Sequence, residues 1–326
     1  MRLPHLLLES PFFLLGNLAE LKKVLGDLTT PDEFAFAEAL AERGLPPVTS
    51  RYTLAALFGI NPGVIWSMEH RTSRYYRSFS IPKGQRFRRI DAPRVALKII
   101  QKWLSVHLER AFTPPQHVFG FVKGRSHIQA AMVHTGARWV FSVDIRDFFQ
   151  TTPQSLVAGC LETLGFYPNG AALIAGLTCL RGALAQGAPT SPVISNICFR
   201  DIDAALIQIA EDFSVRVTRY ADDIVFSSVD QYPAGLQDAV LGLFYQGPWE
   251  LAADKTELNC FPQRLKVHGL LVHGEVVRLT KGYRHRLRAY RHLLDKAAIR
   301  DADVRKVTGH LRYGDYIERL SLADAD

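Results

Sequence analysis

Between positions 215 and 226 the chain reads Val215-Arg216-Val217-Thr218-Arg219-Tyr220-Ala221-Asp222-Asp223-Ile224-Val225-Phe226. Two adjacent carboxylates interrupt two apolar, β-branched runs, which predicts a hairpin with the aspartates at its turn. A hairpin tip holds charge rigidly and leaves it wet. Neighbouring aspartates repel, so fixing both at one tip becomes favourable when a divalent cation neutralises them, and hard oxygen ligands select Mg²⁺. The pair therefore asks for a third carboxylate elsewhere. Asp is also a common turn residue, and taken alone the pair fits ordinary turn chemistry equally well.

The third carboxylate has a candidate in Trp139-Val140-Phe141-Ser142-Val143-Asp144-Ile145, a short apolar strand that delivers Asp144 at its end, with Asp147 nearby as a surface cap. Further on, Leu184-Ala185-Gln186-Gly187-Ala188-Pro189-Thr190-Ser191-Pro192 leads into a predicted long helix with Ser191 as N-cap and Pro192 in its first turn. Val193, Ile194, Ile197, Ile202, Leu206 and Ile209 mark one face of it. Gly187 permits close backbone approach and Gln186 offers an amide to a base or template strand.

Charge is segregated along the chain. Of the net +7 over 326 residues, His70 to Ser126 alone carries 13 Lys/Arg against Asp91 and Glu109, and Lys281 to Lys296 carries six against Asp295. Two basic zones around an acidic centre suggest walls that grip phosphate backbones beside a metal site. In the first zone, Arg74, Tyr75 and Arg77 belong to an arginine–aromatic alternation suited to phosphate contacts and stacking, although half-buried strands show such alternation too. Lys83-Gly84-Gln85-Arg86-Phe87-Arg88-Arg89-Ile90, read as a strand ended by Asp91-Ala92-Pro93, puts Arg86 and Arg88 on one face, where parallel guanidinium groups suit a triphosphate. Val95 to Phe112 has helical spacing, and Gly120-Phe121-Val122-Lys123-Gly124-Arg125-Ser126 is a basic, glycine-punctuated loop or a plain turn.

Beyond the aspartates, Lys255 is either a lysine near a bound nucleotide or a solvated surface residue. Leu265 to Val272 reads as a tight apolar hairpin. Lys281 to Lys296 has Leu287, Tyr290 and Leu294 at helical spacing and a basic opposite face, as suits a helix lying in a minor groove, with Arg284, Arg288 and Arg291 among its basic residues. Residues 1 to about 68 are predicted helical, Met1 to Gly16 as a packing helix, because Glu9 and Pro11 break its apolar runs well short of a membrane span. The composition, 48% hydrophobic and 22% charged, excludes extensive disorder. Cys160, Cys179, Cys198 and Cys260 lack the spacing of a zinc knuckle or redox pair and read as buried thiols in a reducing cytosol.

Taken together, Arg-Tyr-Tyr-Arg-Ser-Phe-Ser-Ile-Pro-Lys, Gly-Phe-Val-Lys-Gly-Arg-Ser, Val-Asp-Ile-Arg-Asp-Phe-Phe, Gln-Gly-Ala-Pro-Thr-Ser-Pro and Tyr-Ala-Asp-Asp, in that order, resemble bacterial retron-type reverse transcriptases over about residues 50 to 320. The resemblance implies an α+β, right-hand polymerase: a helical N-terminal region (1–68), fingers (69–138), an antiparallel-sheet palm (139–272) and a helical thumb (273–326). It favours Asp144 over Asp147, because the family's aspartate holds that place relative to Phe148 and Phe149. It implies RNA-templated DNA synthesis with Asp144, Asp222 and Asp223 holding two Mg²⁺ ions, for which Mn²⁺ substitutes in vitro, and with the Ile145 carbonyl as an additional ligand. Lys83, Arg86, Arg88, Gln186 and Gly187 would contact the dNTP, Phe149 would crowd a ribose 2′-hydroxyl, and Lys255 would donate a proton to pyrophosphate.

Two departures from the family pattern bear on RNA recognition. Ala130-Ala131-Met132-Val133-His134 keeps the histidine of Asn-Ala-x-x-His without its asparagine, and Val267-His268-Gly269 stands in place of Val-Thr-Gly. In the family both segments help recognise the cognate RNA, so His134, Val267, His268 and Gly269 join Arg74, Tyr75, Arg77, Lys123, Arg125, Arg284, Arg288 and Arg291 as expected nucleic-acid contacts. The implied partners are a structured noncoding RNA that is both template and primer, its branched msDNA product, dNTPs and an effector or toxin protein encoded nearby, in the cytoplasm and without a membrane, as an antiphage system. The alternatives are another defence-associated or diversity-generating reverse transcriptase without a branched product, a non-catalytic RNA-binding scaffold of the same fold, and a metal-dependent nuclease.

Overall fold

A computed structural model describes residues 5–84 and 86–323, with the side chains of His5, Lys83, Arg86, Leu322 and Ala323 outside the description. Two compact units emerge, one of residues 1–115, 146–201 and 247–249, the other of 116–145, 202–246 and 250–326.

The first unit opens with helices His5–Glu9, Leu18–Leu25, Pro31–Glu42, Arg51–Phe58 and Pro62–His70. Asn17, Thr30, Ser50 and Asn61 cap four of them through side-chain oxygens, and Ser50 with Thr53 forms a reciprocal capping box. The expected helix over Met1 to Gly16 shrinks to His5–Glu9, with residues 1–4 outside the described residues. Packing comes instead from Phe13 in the following turns, stacked on Phe58 at 4.1 Å, while Phe58 meets fully buried Trp103 edge-on at 5.2 Å. Trp103 sits on helix Val95–Ala111.

Strands Tyr76–Lys83 and Arg86–Pro93 pair antiparallel from Tyr76↔Pro93 to Lys83↔Arg86. The second strand therefore continues through Asp91-Ala92-Pro93, where the sequence predicted its end. Asp91 is held there by the backbone of Gln186, whose carbonyl accepts from its N–H at 2.8 Å. Helices Gln154–Leu164, Pro168–Thr178 and Ser191–Cys198 complete this unit. The predicted long helix is two helices, Ser191–Cys198 and Arg200–Asp212, separated at buried Phe199. Thr190 rather than Ser191 is the N-cap, and the Ser191 hydroxyl donates to the Ala185 carbonyl at 2.7 Å.

The second unit is built on a four-stranded antiparallel sheet ordered Arg216–Tyr220, Asp223–Ser228, Trp139–Asp144, Glu257–Cys260. Alternation puts Val140 and Val225 into a core shared with Leu265, Val267, Leu270, Val277, Leu287 and Ile317. A smaller sheet, Arg278–Leu279, Leu270–Leu271 and Lys266–Val267, adds the predicted hairpin to that core. Helices Lys281–Asp295 and Asp301–Ala323 pack against it through Leu287 and Ile317. The architecture is α+β. Among the described residues no helix is long and apolar enough to cross a membrane. Cys179 and Cys198 are buried and Cys160 is half-buried, but Cys260 is exposed at the end of an edge strand, contrary to the expectation for it.

His134 is fully buried, with Nδ1 2.7 Å from the Ser227 hydroxyl and Nε2 2.7 Å from that of Thr218, so it clamps the two strands that carry the aspartates. Burial, with Arg216 and His268 adding positive charge nearby, pushes its pKa down to about 3. The unfolded imidazole takes up a proton near its ordinary value of 6.5. Stability is therefore complete above about pH 6.5 and falls as the pH drops through that value toward the folded one, by about 1.4 kcal/mol per unit. Between pH 7 and pH 5 the wild type should lose about 2 kcal/mol more than His134→Gln in urea unfolding; equal losses in both proteins would contradict this assignment.

Candidate active site

The first strand of the central hairpin ends at Tyr220, opposite Asp223, which makes Ala221 and Asp222 the two turn residues. Asp144 ends its own strand directly across from Asp223, and the Ile145 N–H donates to the Asp222 carbonyl at 2.9 Å. The three aspartates thus come together at one sheet edge, one from a turn and two from paired strand ends. Burial raises the pKa of the Asp222 carboxyl and the Asp144 charge pushes it further, against stabilisation from its own backbone N–H and from Lys255, with Asp223 adding the smallest upward push. A cation beside these carboxylates would favour their charged forms.

Two neighbours take up the other carboxylates. Lys255, on the 3₁₀ turn Ala253–Lys255, places Nζ 2.5 Å from Asp144 Oδ1. His268 places Nδ1 3.1 Å from Asp223 Oδ2. Among the described residues no three carboxylate, His or Cys groups form a ready coordination shell. The donor chemistry nonetheless fits a hard divalent ion, since adjacent carboxylate oxygens under mutual repulsion are what such a cation binds.

Behind the turn lies a constellation the sequence reading missed. Fully buried Arg219 makes a two-pronged ion pair with buried Asp203, Nε to Oδ1 at 2.7 Å and Nη2 to Oδ2 at 2.6 Å, and donates from Nη1 to the Ala221 carbonyl at 3.0 Å. His117 adds a ring nitrogen 3.2 Å from Asp203 Oδ1. The segment from His117 runs along Arg219, with Arg219 N–H donating to the His117 carbonyl at 2.8 Å and Phe119 N–H to the Arg219 carbonyl at 2.8 Å. Gly120 then passes so close that a Cβ there would lie 2.0 Å from the Ala221 nitrogen. The available signal was an aspartate at position 203, next to Ile202 on the apolar face of a helix, and an arginine inside an otherwise apolar strand.

The other expected nucleic-acid residues of this unit divide into two groups. Lys123 is exposed, and Arg284, Arg288 and Arg291 line a cavity of about 390 Å³ together with Lys281, His285 and Glu318. Arg291 also pairs with Asp315. Arg125 instead donates to the Val118 carbonyl at 2.6 Å and braces its own loop. Val267 is buried in the core, and His134 has no exposed surface with which to meet RNA. His268, 8% exposed in its side chain, faces Asp223. Gly269 is exposed.

In the first unit Arg74 is exposed, Tyr75 half-buried, and Arg77 lies over Phe79 at 5.1 Å. The side chains of Lys83 and Arg86 are outside the description; Arg88, opposite Ile81, is half-buried. Phe149 stacks on Phe148 with centroids 5.9 Å apart. The Gln186 side chain accepts from Gln150 Nε2 at 2.9 Å, and Gly187, at φ +125°, lets the loop pass Ile90 and Asp91 where a Cβ would clash.

The family described as reverse transcriptase (RNA-dependent DNA polymerase) matches residues 81–260, more than half of the chain. The chain belongs to the reverse transcriptases. The retron Mx65 reverse transcriptase of Myxococcus xanthus is 31% identical over 86% of this chain and 69% of its own length. The retron Mx162 enzyme of the same organism is 32% identical over 58% of this chain and 44% of its own, and the retron Ec86 reverse transcriptase of Escherichia coli 24% over 78% and 80%. Among solved structures, telomerase from Candida albicans in complex with a telomeric RNA fragment overlays with a TM-score of 0.44 at 11% identity, covering 76% of this chain and 55% of that one. This reverse transcriptase is of the bacterial retron type, an RNA-directed DNA polymerase.

Removing one partner of the buried ion pair strands a charge, so Arg219→Ala should cost about 3–5 kcal/mol in denaturant unfolding. Arg219→Met combined with Asp203→Leu should recover most of that stability. The double variant still lacks the donor to Ala221, and its primer-extension rate should fall about tenfold or more. Full activity in a stable double variant would make the pair purely structural.

Proposed function

We propose that this reverse transcriptase copies part of a cognate structured noncoding RNA into single-stranded DNA, leaving a branched RNA–DNA product (msDNA), and that it serves an antiphage system with an effector protein encoded nearby. The reading rests on one observation above others, the pairing of Asp144 with Asp223 beside the Ile145–Asp222 hydrogen bond. It is supported by the retron relatives and by the five ordered sequence motifs.

In this reading a primer hydroxyl attacks the α-phosphorus of a dNTP in line, with pyrophosphate leaving. Asp144, Asp222 and Asp223, with the Ile145 carbonyl, hold two Mg²⁺ ions, which when bound activate the attacking oxygen and stabilise the leaving group. Lys255, beside Asp144, would donate a proton to the departing pyrophosphate. Lys83, Arg86 and Arg88 provide cationic contacts for the triphosphate. Gln150 holds the amide oxygen of Gln186, so that its amide nitrogen is left to a base or template strand. Phe149 excludes a ribose 2′-hydroxyl. The basic helix Lys281–Asp295 takes duplex backbone through Arg284, Arg288 and Arg291. Residues 1–68, 69–138, 139–272 and 273–326 serve as N-terminal region, fingers, palm and thumb of a cytoplasmic enzyme.

Asp222→Asn should abolish primer extension while RNA affinity stays within about threefold, because the substitution removes a cation ligand and no phosphate contact. Retained DNA synthesis would refute the catalytic role. With about six phosphates contacted, RNA affinity should drop roughly a thousandfold between about 50 and 200 mM salt; a flat titration would remove the basic contacts from the reading. Sequencing the nucleic acid that copurifies with the protein separates the retron reading from other defence-associated or diversity-generating enzymes. Only the former yields a short DNA joined 2′–5′ to RNA.

A further inference from the structure

Val267↔Leu270 is the last pair of the hairpin between Lys266–Val267 and Leu270–Leu271, which leaves His268 and Gly269 as its two turn residues. Both are left-handed, at φ +48° and +84°, as a two-residue hairpin turn requires. Glycine accepts that conformation freely, whereas a histidine incurs about 1 kcal/mol or more. Asparagine or a second glycine would serve the turn better. Backbone geometry therefore gives no reason for an imidazole here, and the reason has to lie in what the ring touches.

The ring is enclosed, with 8% of the side chain exposed, and it lies 5.2 Å from the Tyr220 ring. Nδ1 is 3.1 Å from Asp223 Oδ2, while Nε2 is buried without a partner among the described residues. These two facts select a tautomer. With hydrogen on Nε2, an N–H would be buried with no acceptor and the Nδ1 lone pair would face a carboxylate lone pair. With hydrogen on Nδ1, the polar N–H lies against the Asp223 carboxylate as an electrostatic contact, and only an acceptor is left without a partner among the described residues, the less costly arrangement.

We infer that His268 is a positioning residue for Asp223: its enclosed ring, with Nδ1 3.1 Å from Oδ2, restrains that oxygen electrostatically from the neighbouring hairpin and leaves Oδ1 for the cation. The inference rests on the reading of Asp223 as a metal ligand. It gives the histidine of Val267-His268-Gly269 a role at the reacting centre, where the sequence pattern pointed to RNA recognition. A carboxylate at a strand end has two free torsions, and a donor fixing one oxygen removes rotamers that would otherwise compete with cation binding.

Two substitutions that both suit the left-handed turn make the test. His268→Asn keeps an amide N–H near the position of Nδ1, and His268→Gly removes the donor. Mn²⁺ binding to the full chain on a primer–template is read by electron paramagnetic resonance of free Mn²⁺, alongside kcat and primer–template Kd. His268→Gly should weaken Mn²⁺ binding and lower kcat by about tenfold or more, as loss of a polar contact to a partly buried charged group does. His268→Asn should stay within about threefold of wild type, with primer–template Kd unchanged in both. Equal losses in the two variants, or weakened primer–template binding with Mn²⁺ binding intact, overturn the inference. An Asp223-dependent Mn²⁺ site indifferent to His268 overturns the inference alone. Mn²⁺ binding that survives Asp223→Asn unchanged removes the metal reading and the inference with it.

Discussion

Mutual repulsion among Asp144, Asp222 and Asp223 is the constraint around which the second unit is arranged. The register that puts Asp144 opposite Asp223 is fixed along six residue pairs from Trp139↔Ser228 onward, with Phe141 and Phe226 opposite one another at the buried middle. A slip of one residue would turn Val140 and Val225 out of the core, so apolar burial at one end of the strands enforces carboxylate proximity at the other.

The Arg219–Asp203 pair belongs to the same logic. A buried ion pair is a poor source of net stability, because desolvating both charges offsets most of their attraction. What this pair contributes is placement. Its guanidinium reaches the Ala221 carbonyl, so the helix bearing Asp203 and the turn bearing Asp222 are tied by one rigid, planar group. A lysine would supply the charge but not the two-pronged geometry, and Gly120 against Ala221 closes the other side of the turn.

What the sequence made legible followed local rules. The hairpin, the strand ending in Asp144 and the helix Lys281–Asp295 are written in periods of two or three to four residues, and the structure contains all three. The roles of individual polar side chains were not local. His134 reads as an RNA contact because it sits in a motif-like string, yet it is sealed between Ser227 and Thr218. No spacing rule reports which polar side chain a fold turns inward to satisfy a partner some 90 positions away. The apolar face running from Val193 to Ile209 similarly concealed a break, since Phe199 is itself apolar and buried. Its place between two helices depends on Phe148 and Trp249, which no local window contains.

Of the eight described non-glycine residues at positive φ, two stand at the aspartate cluster. Ala221 and His268 are both non-glycine residues at positive φ, and both adjoin an aspartate of the site. Each costs on the order of 1–3 kcal/mol and persists only where its surroundings over-determine it. For Ala221 those surroundings are Arg219 and Gly120; for His268 they are Asp223 and Tyr220. The two turns are therefore not independent, because Tyr220 is the residue before one and packs on the ring of the other. Moving either hairpin displaces a carboxylate, so the arrangement of the three aspartates depends on two left-handed turns from different sheets as well as on the register of the aspartates' own strands.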